Sequence, residues 1–346
     1  MQNPRNFCKL AAMKICLLET IVATANSGEC GSCCVHETLG RSRSSILRPG
    51  SPVFSMVMKY LFSGGLALAT STLFATDIPA LEAKAKSGDA KAQFELARIY
   101  LKGTDGVSKN VMRSFELMTF SAQQGNAAAT GGLGYFYANG MVVAKDAGKA
   151  LEWFRKAADK GDPVAQLNLG NMLAEGKGIQ TNEAEGRKWI KAAADQGQPD
   201  ASYAMGAIYY FGSYGQSVDF NEAYPYLLKA AEAGHPVAQN MVGVMLENGR
   251  GVQMDADQAE KWYRKSANQG NLKAQGNLGR LLGPEVEDRE RRIEAITWLL
   301  IASKRGEITA QKMLEEMHSG LNPDDVAEAQ NLADDLEKSL SAVNSR

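Results

Sequence analysis

Seven glycines stand 36 or 37 residues apart along this chain: Gly88, Gly125, Gly161, Gly197, Gly234, Gly270 and Gly306. A fixed period of this length means one small unit stacked on copies of itself, because a single unit cannot bury its own apolar face. The phrase around the glycine recurs as well. Residues 160–170 read KGDPVAQLNLG and residues 233–243 read AGHPVAQNMVG. Neither copy holds a nucleophile–base pair or a set of metal ligands, so the repetition points to folding rather than to catalysis.

Each unit predicts two helices. Helix A opens within the phrase, where Asp162 suits an N-cap and Pro163 a first helical residue. Counting from Ala92, Ala129, Ala165, Ala201, Ala238 and Ala274, apolar residues recur four, seven and eight positions on, which is one helix face. Glycine stands at the fifth position in five units (Gly134, Gly170, Gly206, Gly243, Gly279). Mid-helix glycine costs about 1 kcal/mol against alanine, so its recurrence predicts close backbone approach by a neighbouring helix. A glycine at the eleventh position (Gly103, Gly140, Gly176, Gly212, Gly249) marks the helix end. Helix B is read backwards from the closing glycine. Eight residues before it stand Leu117, Trp153, Trp189, Tyr226, Trp262 and Trp298, with small residues three, four and eleven before it. All four tryptophans thus share one column, which predicts large rings packed on alanines in the core rather than a ligand stack.

These residues resemble the Sel-one-like repeat, a relative of the tetratricopeptide repeat. The fullest copies are AQLNLGNMLAEGKGI (165–179) with GRKWIKAAADQG (186–197), and AQNMVGVMLENGRGV (238–252) with AEKWYRKSANQG (259–270). The resemblance covers roughly residues 88–318. It implies an all-α, right-handed α/α superhelical solenoid of about six to seven 36-residue helix-pair repeats, with N- and C-terminal capping helices. DIPALEAKAKSG (77–88) fits a lone helix B at the start, and NPDDVAEAQNLADDLEKSL (322–340) fits a polar cap at the end. Two departures are visible. The fourth unit has FGSYGQSV in its loop and Pro225 inside helix B, which is expected to disturb that helix's first turns. In the sixth, GPEVEDRERR replaces the loop.

The N-terminal part reads differently. Cys8, Cys16, Cys30, Cys33 and Cys34 are the only cysteines, and CGSCC with nearby His36 supplies a single C-x-x-C rather than the paired knuckles of a zinc site. MKYLFSGGLALATSTLFAT (58–76) has a basic start, a short apolar run and a small residue, Ala75, at its end, the form of a signal peptide. The expected organisation is a non-native or disordered extension over 1–57, a signal peptide over 58–75, a repeat solenoid over 76–320, and a capping helix and tail over 321–346. The expected location is the periplasm or the cell exterior, with no stable membrane span after cleavage.

Function must come from the surface left over. Lys and Arg number 38 against 39 Asp and Glu, so no basic field points to nucleic acid. Helix A normally lines the inner wall of such a solenoid. The positions two, six and nine after the alanine point away from the unit's own core, and the residues there include aromatic and arginine side chains, the types that anchor partners. The candidates are Phe94, Arg98, Tyr135, Leu167, Asn171, Tyr203, Tyr210, Val244 and Arg280. Either they form a concave binding surface for a protein or peptide, such as an envelope or host protein, or they pack between neighbouring helices as superhelix interior. No cofactor or metal is expected. The family also contains cysteine-rich secreted members linked to β-lactam binding or hydrolysis, which makes a cell-wall-active enzyme the alternative. Their cysteine pairs are absent here, and histidines are scarce: His36 precedes the repeats, His235 sits at a helix-cap position and His318 near the last repeat.

Overall fold

The computed structural model describes residues 76–283, 287–317 and 321–344. The proposed extension and signal segment, all five cysteines and His318 lie outside the described residues. Among the described residues the regular structure is entirely helical. Among those residues a single helix, α1 (Ile78–Lys86), precedes six A–B pairs. These are α2 (Ala90–Lys102) with α3 (Val111–Gln123), α4 (Ala127–Asn139) with α5 (Ala147–Asp159), and α6 (Pro163–Glu175) with α7 (Glu183–Asp195). Then come α8 (Pro199–Phe211) with α9 (Phe220–Glu232), α10 (Pro236–Asn248) with α11 (Ala256–Asn268), and α12 (Leu272–Leu282) with α13 (Arg289–Lys304). α14 (Ile308–Met317) follows as a further helix A, and α15 (Pro323–Asn344) closes against α13. From α1 to α14 each helix packs on its neighbour in the chain, A on B within a unit and B on the next A, which is a solenoid.

The motif alanine is the third residue of each helix A. Its amide is held by the N-cap side chain of Asp89, Asn126, Asp162, His235 or Asn271 at 2.7–3.1 Å, and by Gln198 in the fourth unit. The glycine at the eleventh position ends five of these helices in the left-handed region, with φ between 65° and 75°. Two residues later the chain is left-handed again. That position holds Gly178 (77°) and Gly251 (70°), but Asp105 (56°), Val142 (66°) and Tyr214 (51°) elsewhere. A β-branched residue there is strained by roughly 1–2 kcal/mol. Val142→Gly, which copies the third and fifth units, is therefore expected to raise stability by about 1 kcal/mol in denaturant melting. A loss of stability would mean that the Val142 side chain contributes packing that outweighs its strain.

The glycines at the fifth position do admit close approach, though mostly by a side chain. A Cβ at Gly134 would lie 2.7 Å from Phe154, at Gly206 2.5 Å from Leu227, at Gly243 2.6 Å from Tyr263 and at Gly279 2.7 Å from Leu299. Backbone also comes within 2.9 Å in two units: a Cβ at Gly170 would lie 2.7 Å from the carbonyl oxygen of Gly186 and 2.9 Å from the amide of Ile190, beside Ile190 Cγ1 at 2.6 Å, and a Cβ at Gly279 would lie 2.9 Å from the carbonyl oxygen of Ala295. The visitors Phe154, Ile190, Leu227, Tyr263 and Leu299, with Met118 in the first unit, where the fifth position is Ala97, form a column seven residues before each closing glycine. All are buried, from 0 to 4% exposed.

This corrects the reading of the tryptophans. Trp298 is buried at 1%, but Trp153, Trp189 and Trp262 are half-buried. Trp153 and Trp189 lie against core clusters that join their own helix A to the preceding unit. Lys156 sits over Trp153 at 4.8 Å and Lys265 over Trp262 at 4.0 Å. In the second to fifth units the eighth position before the glycine is thus the rim of the core, whereas the seventh is its centre in all six. Pro225 also departs from expectation, since α9 runs unbroken over the same thirteen residues as its counterparts. The carbonyl deprived of a partner four residues back belongs to Asn221, which is exposed and can turn to water.

A polar ladder joins the units. The residue after the motif alanine is buried Gln93, Gln166, Gln239 or Gln275. Each donates from Nε2 to the last turn of the preceding helix B, at Ala85, Ala158, Ala231 or Ala267 (3.1–3.2 Å). Each Oε1 accepts from the end of its own unit's helix B, from Gln124, Gln196, Gln269 or Arg305 (2.7–3.3 Å). Units two and four instead carry Thr130 and Ser202, whose hydroxyls bond within their own helix. Buried polar groups paired on both sides in this way fix the rotation of one helix against the next.

Candidate functional site

The nine side chains read from the sequence divide by depth. Arg98, Tyr135 and Arg280 are exposed; Phe94, Asn171, Tyr203, Tyr210 and Val244 are half-buried. Leu167 is a correction. It is 8% exposed and belongs to a core cluster with Ile190, Met205 and Ile208. The second position after the alanine lies between successive A helices, as its other occupants show. A Cβ at Gly131 would lie 3.1 Å from Ala165, and Asn240 accepts a 3.0 Å hydrogen bond from Asn277 of the next helix A. The sixth position, the ninth except at buried Ala174, and the helix ends remain to face outward.

Aromatic side chains concentrate toward the middle of the row. At the end of α8, Tyr210 meets Phe211 and Phe220 edge-on at 4.9 and 5.2 Å. Arg250, beyond α10, donates to the Tyr210 hydroxyl at 2.9 Å and lies over the Phe220 ring at 5.5 Å. Phe211 is 64% exposed and Tyr135 44%. Phe211 was missed by the sequence reading, which stopped at the ninth position. The tenth holds Lys102, Asn139, Glu175, Asn248 and Pro284 elsewhere, so the one aromatic in its column was the available signal.

The remaining candidates are held by neighbours. Tyr203 stacks on His235 at 4.4 Å. Burial pushes the His235 imidazole below its ordinary pKa, against the opposing pull of Asp200 at 3.6 Å, which suits a neutral ring accepting from the Ala238 amide at Nδ1. Glu247 accepts from Arg280 and from the buried Tyr263 hydroxyl, both at 2.7 Å. Burial raises the Glu247 carboxyl, but these two donors outweigh it and hold its pKa below the usual value. Burial and then Glu247 push the Tyr263 phenol well above its ordinary value, so that hydroxyl stays a donor. At the N-terminal end Arg98 lies over Phe94 at 5.8 Å. The whole row offers rings, guanidinium groups and amides, and among the described residues no three His, Cys, Asp or Glu side chains converge as metal ligands.

Similarity to known proteins agrees with this architecture. The family described as Sel1 repeat matches residues 90–126, 127–162, 163–198, 199–235 and 236–271, each match running from the start of a helix A to the turn after helix B. Among solved structures, a Sel1 repeat protein from Oxalobacter formigenes is 28% identical with a TM-score of 0.52, over 72% of this chain and 96% of that one. A protective antigen present in uropathogenic Escherichia coli strains, displaying an SLR fold, is also 28% identical, with a TM-score of 0.47, over 78% of this chain and 67% of that one. The chitin synthase regulator SKT5 of Saccharomyces cerevisiae is 40% identical over 60 residues, which are 17% of this chain and only 9% of that protein. The matched units cover more than half of the sequence and keep its glycine register throughout: the chain belongs to the Sel1 repeat family.

Proposed function

We propose that this chain is a non-catalytic scaffold, exported to the periplasm or cell exterior, that binds a protein or peptide along the outward row of its A helices. Sel1 repeat solenoids are commonly interaction scaffolds, and the helices here are spent on mutual packing rather than on assembling reactive groups. The observation that carries the reading is the aromatic cluster of Tyr210, Phe211 and Phe220 under Arg250, with Tyr135 exposed in the same row. Exposed rings beside a guanidinium are what binding hot spots are made of, and monomeric surfaces rarely expose them without use. Export rests on the signal-like segment 58–75, and N-terminal sequencing of the secreted protein is expected to begin at Thr76. A peptide recovered from residues 1–57 would contradict that assignment.

The double substitution Tyr135→Ser with Phe211→Ser tests the surface. Both side chains are exposed, so each should cost under about 0.5 kcal/mol of stability. Capture of a partner from the native envelope fraction should weaken by about 2 kcal/mol, roughly thirty-fold, if either ring is a hot spot. A folded double variant that captures the same partner at full strength would place binding elsewhere.

A further inference from the structure

The column eight residues before the closing glycine has a consequence at the N-terminal end. Trp153, Trp189 and Tyr226 each pack against a core cluster that joins their own unit's helix A to the unit before it, so each large ring covers the seam between its unit and the preceding one. The first unit has Leu117 in that position, and the groove between α1 and α3 stays open. It is a cavity of about 460 Å³ whose walls include Glu82, Lys86, Tyr100, Arg113, Leu117 and Phe120. The other units show what such a groove accommodates. Tyr209, the counterpart of Tyr100, stacks with Tyr226 at 6.1 Å with the planes 17° apart. Lys156, the counterpart of Phe120, lies over Trp153.

The cavity also has a charge pattern. Glu82 accepts from the Tyr100 hydroxyl at 3.3 Å, and Arg113 pairs with Glu116 at 2.7 Å. Lys86 is exposed and has no ion pair among the described residues. Phe120 stands 52% exposed at the rim, where units two, four and five have lysine. An aromatic ring entering the groove would meet Tyr100 and Leu117 inside and Phe120 at the edge, and a carboxylate beside the ring would meet Lys86 and Arg113.

We propose that this groove binds an aromatic side chain, indole by preference, of a partner peptide that carries a carboxylate next to it. The groove lies between B helices, so the proposal does not rest on the helix-A surface and can fail or stand independently of it. The probe is N-acetyl-L-tryptophan, titrated into the full chain with the methyl groups of Leu96 and Leu117 followed by NMR. Saturable shifts with a Kd on the order of 1 mM are expected for a ligand of this size, with N-acetyl-L-alanine giving none. Leu117→Trp supplies the missing ring from within. It should raise the melting temperature and weaken the probe at least ~10-fold, read at Leu96. Should that variant fail to fold, Phe120→Ser, at an exposed site, is expected to weaken the probe at least ~3-fold while leaving the fold intact. No binding by the unaltered chain, or undiminished binding by a folded Leu117→Trp or Phe120→Ser chain, would overturn the site. Equal affinity for N-acetyl-L-tryptophanamide would overturn the carboxylate requirement.

Discussion

Replacing Gly170 by alanine is expected to destabilise the protein by about 3 kcal/mol, although alanine is the better helix former by about 1 kcal/mol. The new methyl would lie 2.6 Å from Ile190 Cγ1, 2.7 Å from the Gly186 carbonyl oxygen and 2.9 Å from the Ile190 amide. Two of these three atoms are backbone and cannot rotate away. Gly186 faces the same contact from the other side, where a Cβ would lie 2.6 Å from the Gly170 oxygen and 2.7 Å from the Ala174 amide. The helices must therefore separate, and separation of α6 from α7 loosens the buried column at Ile190. Gly148→Ala is the control. Gly148 lies in α5 with only the Asp146 carboxylate near its Cβ, at 3.4 Å, and the change should be neutral or stabilising by up to ~1 kcal/mol. Urea melting of the two variants reads both outcomes. If Gly170→Ala were as mild as Gly148→Ala, the close approach of α6 and α7 would be wrong.

The tryptophans should separate into two classes. Trp298 is 1% exposed and donates from Nε1 to Glu294 at 3.4 Å; Trp298→Ala is expected to cost about 3–5 kcal/mol. Trp189 is half-buried at the edge of its cluster, and Trp189→Ala should cost about 1–2 kcal/mol, in proportion to the smaller apolar area lost. Equal losses for the two, measured by the same denaturant titration, would mean that repeat position alone sets depth.

That contrast shows what could be read from the sequence. The period, the helix pairs, the caps and the terminal helices were legible because each unit repeats the same local signal. Asp162, Pro163 and Gly176 each announce a helix boundary by their own backbone chemistry. Depth was less legible. Positions seven and eight before the closing glycine are neighbours on one helix, and both are apolar. The tryptophan column stands out by eye. The deeper column varies from Met118 through Phe154 and Ile190 to Tyr263, held in common only by burial and, from the second unit on, by a facing glycine. Leu167 was misplaced for a related reason. A helical wheel describes one helix, whereas Leu167 is covered by the next unit. The polar ladder through Gln166 and Gln239 was also missed, since glutamine after an alanine near a helix start reads as an ordinary surface residue until its two partners, thirty residues on and eight residues back, are in place.

The central claim is that a partner sits on the A-helix row. Site-specific photo-crosslinking tests it most directly, with a benzophenone amino acid placed at Tyr135, at Phe211, or at exposed Lys188 on helix α7, in cells that make the protein. The account predicts one shared adduct from positions 135 and 211 and none from 188. An adduct from 188 alone, with 135 and 211 silent, would contradict it.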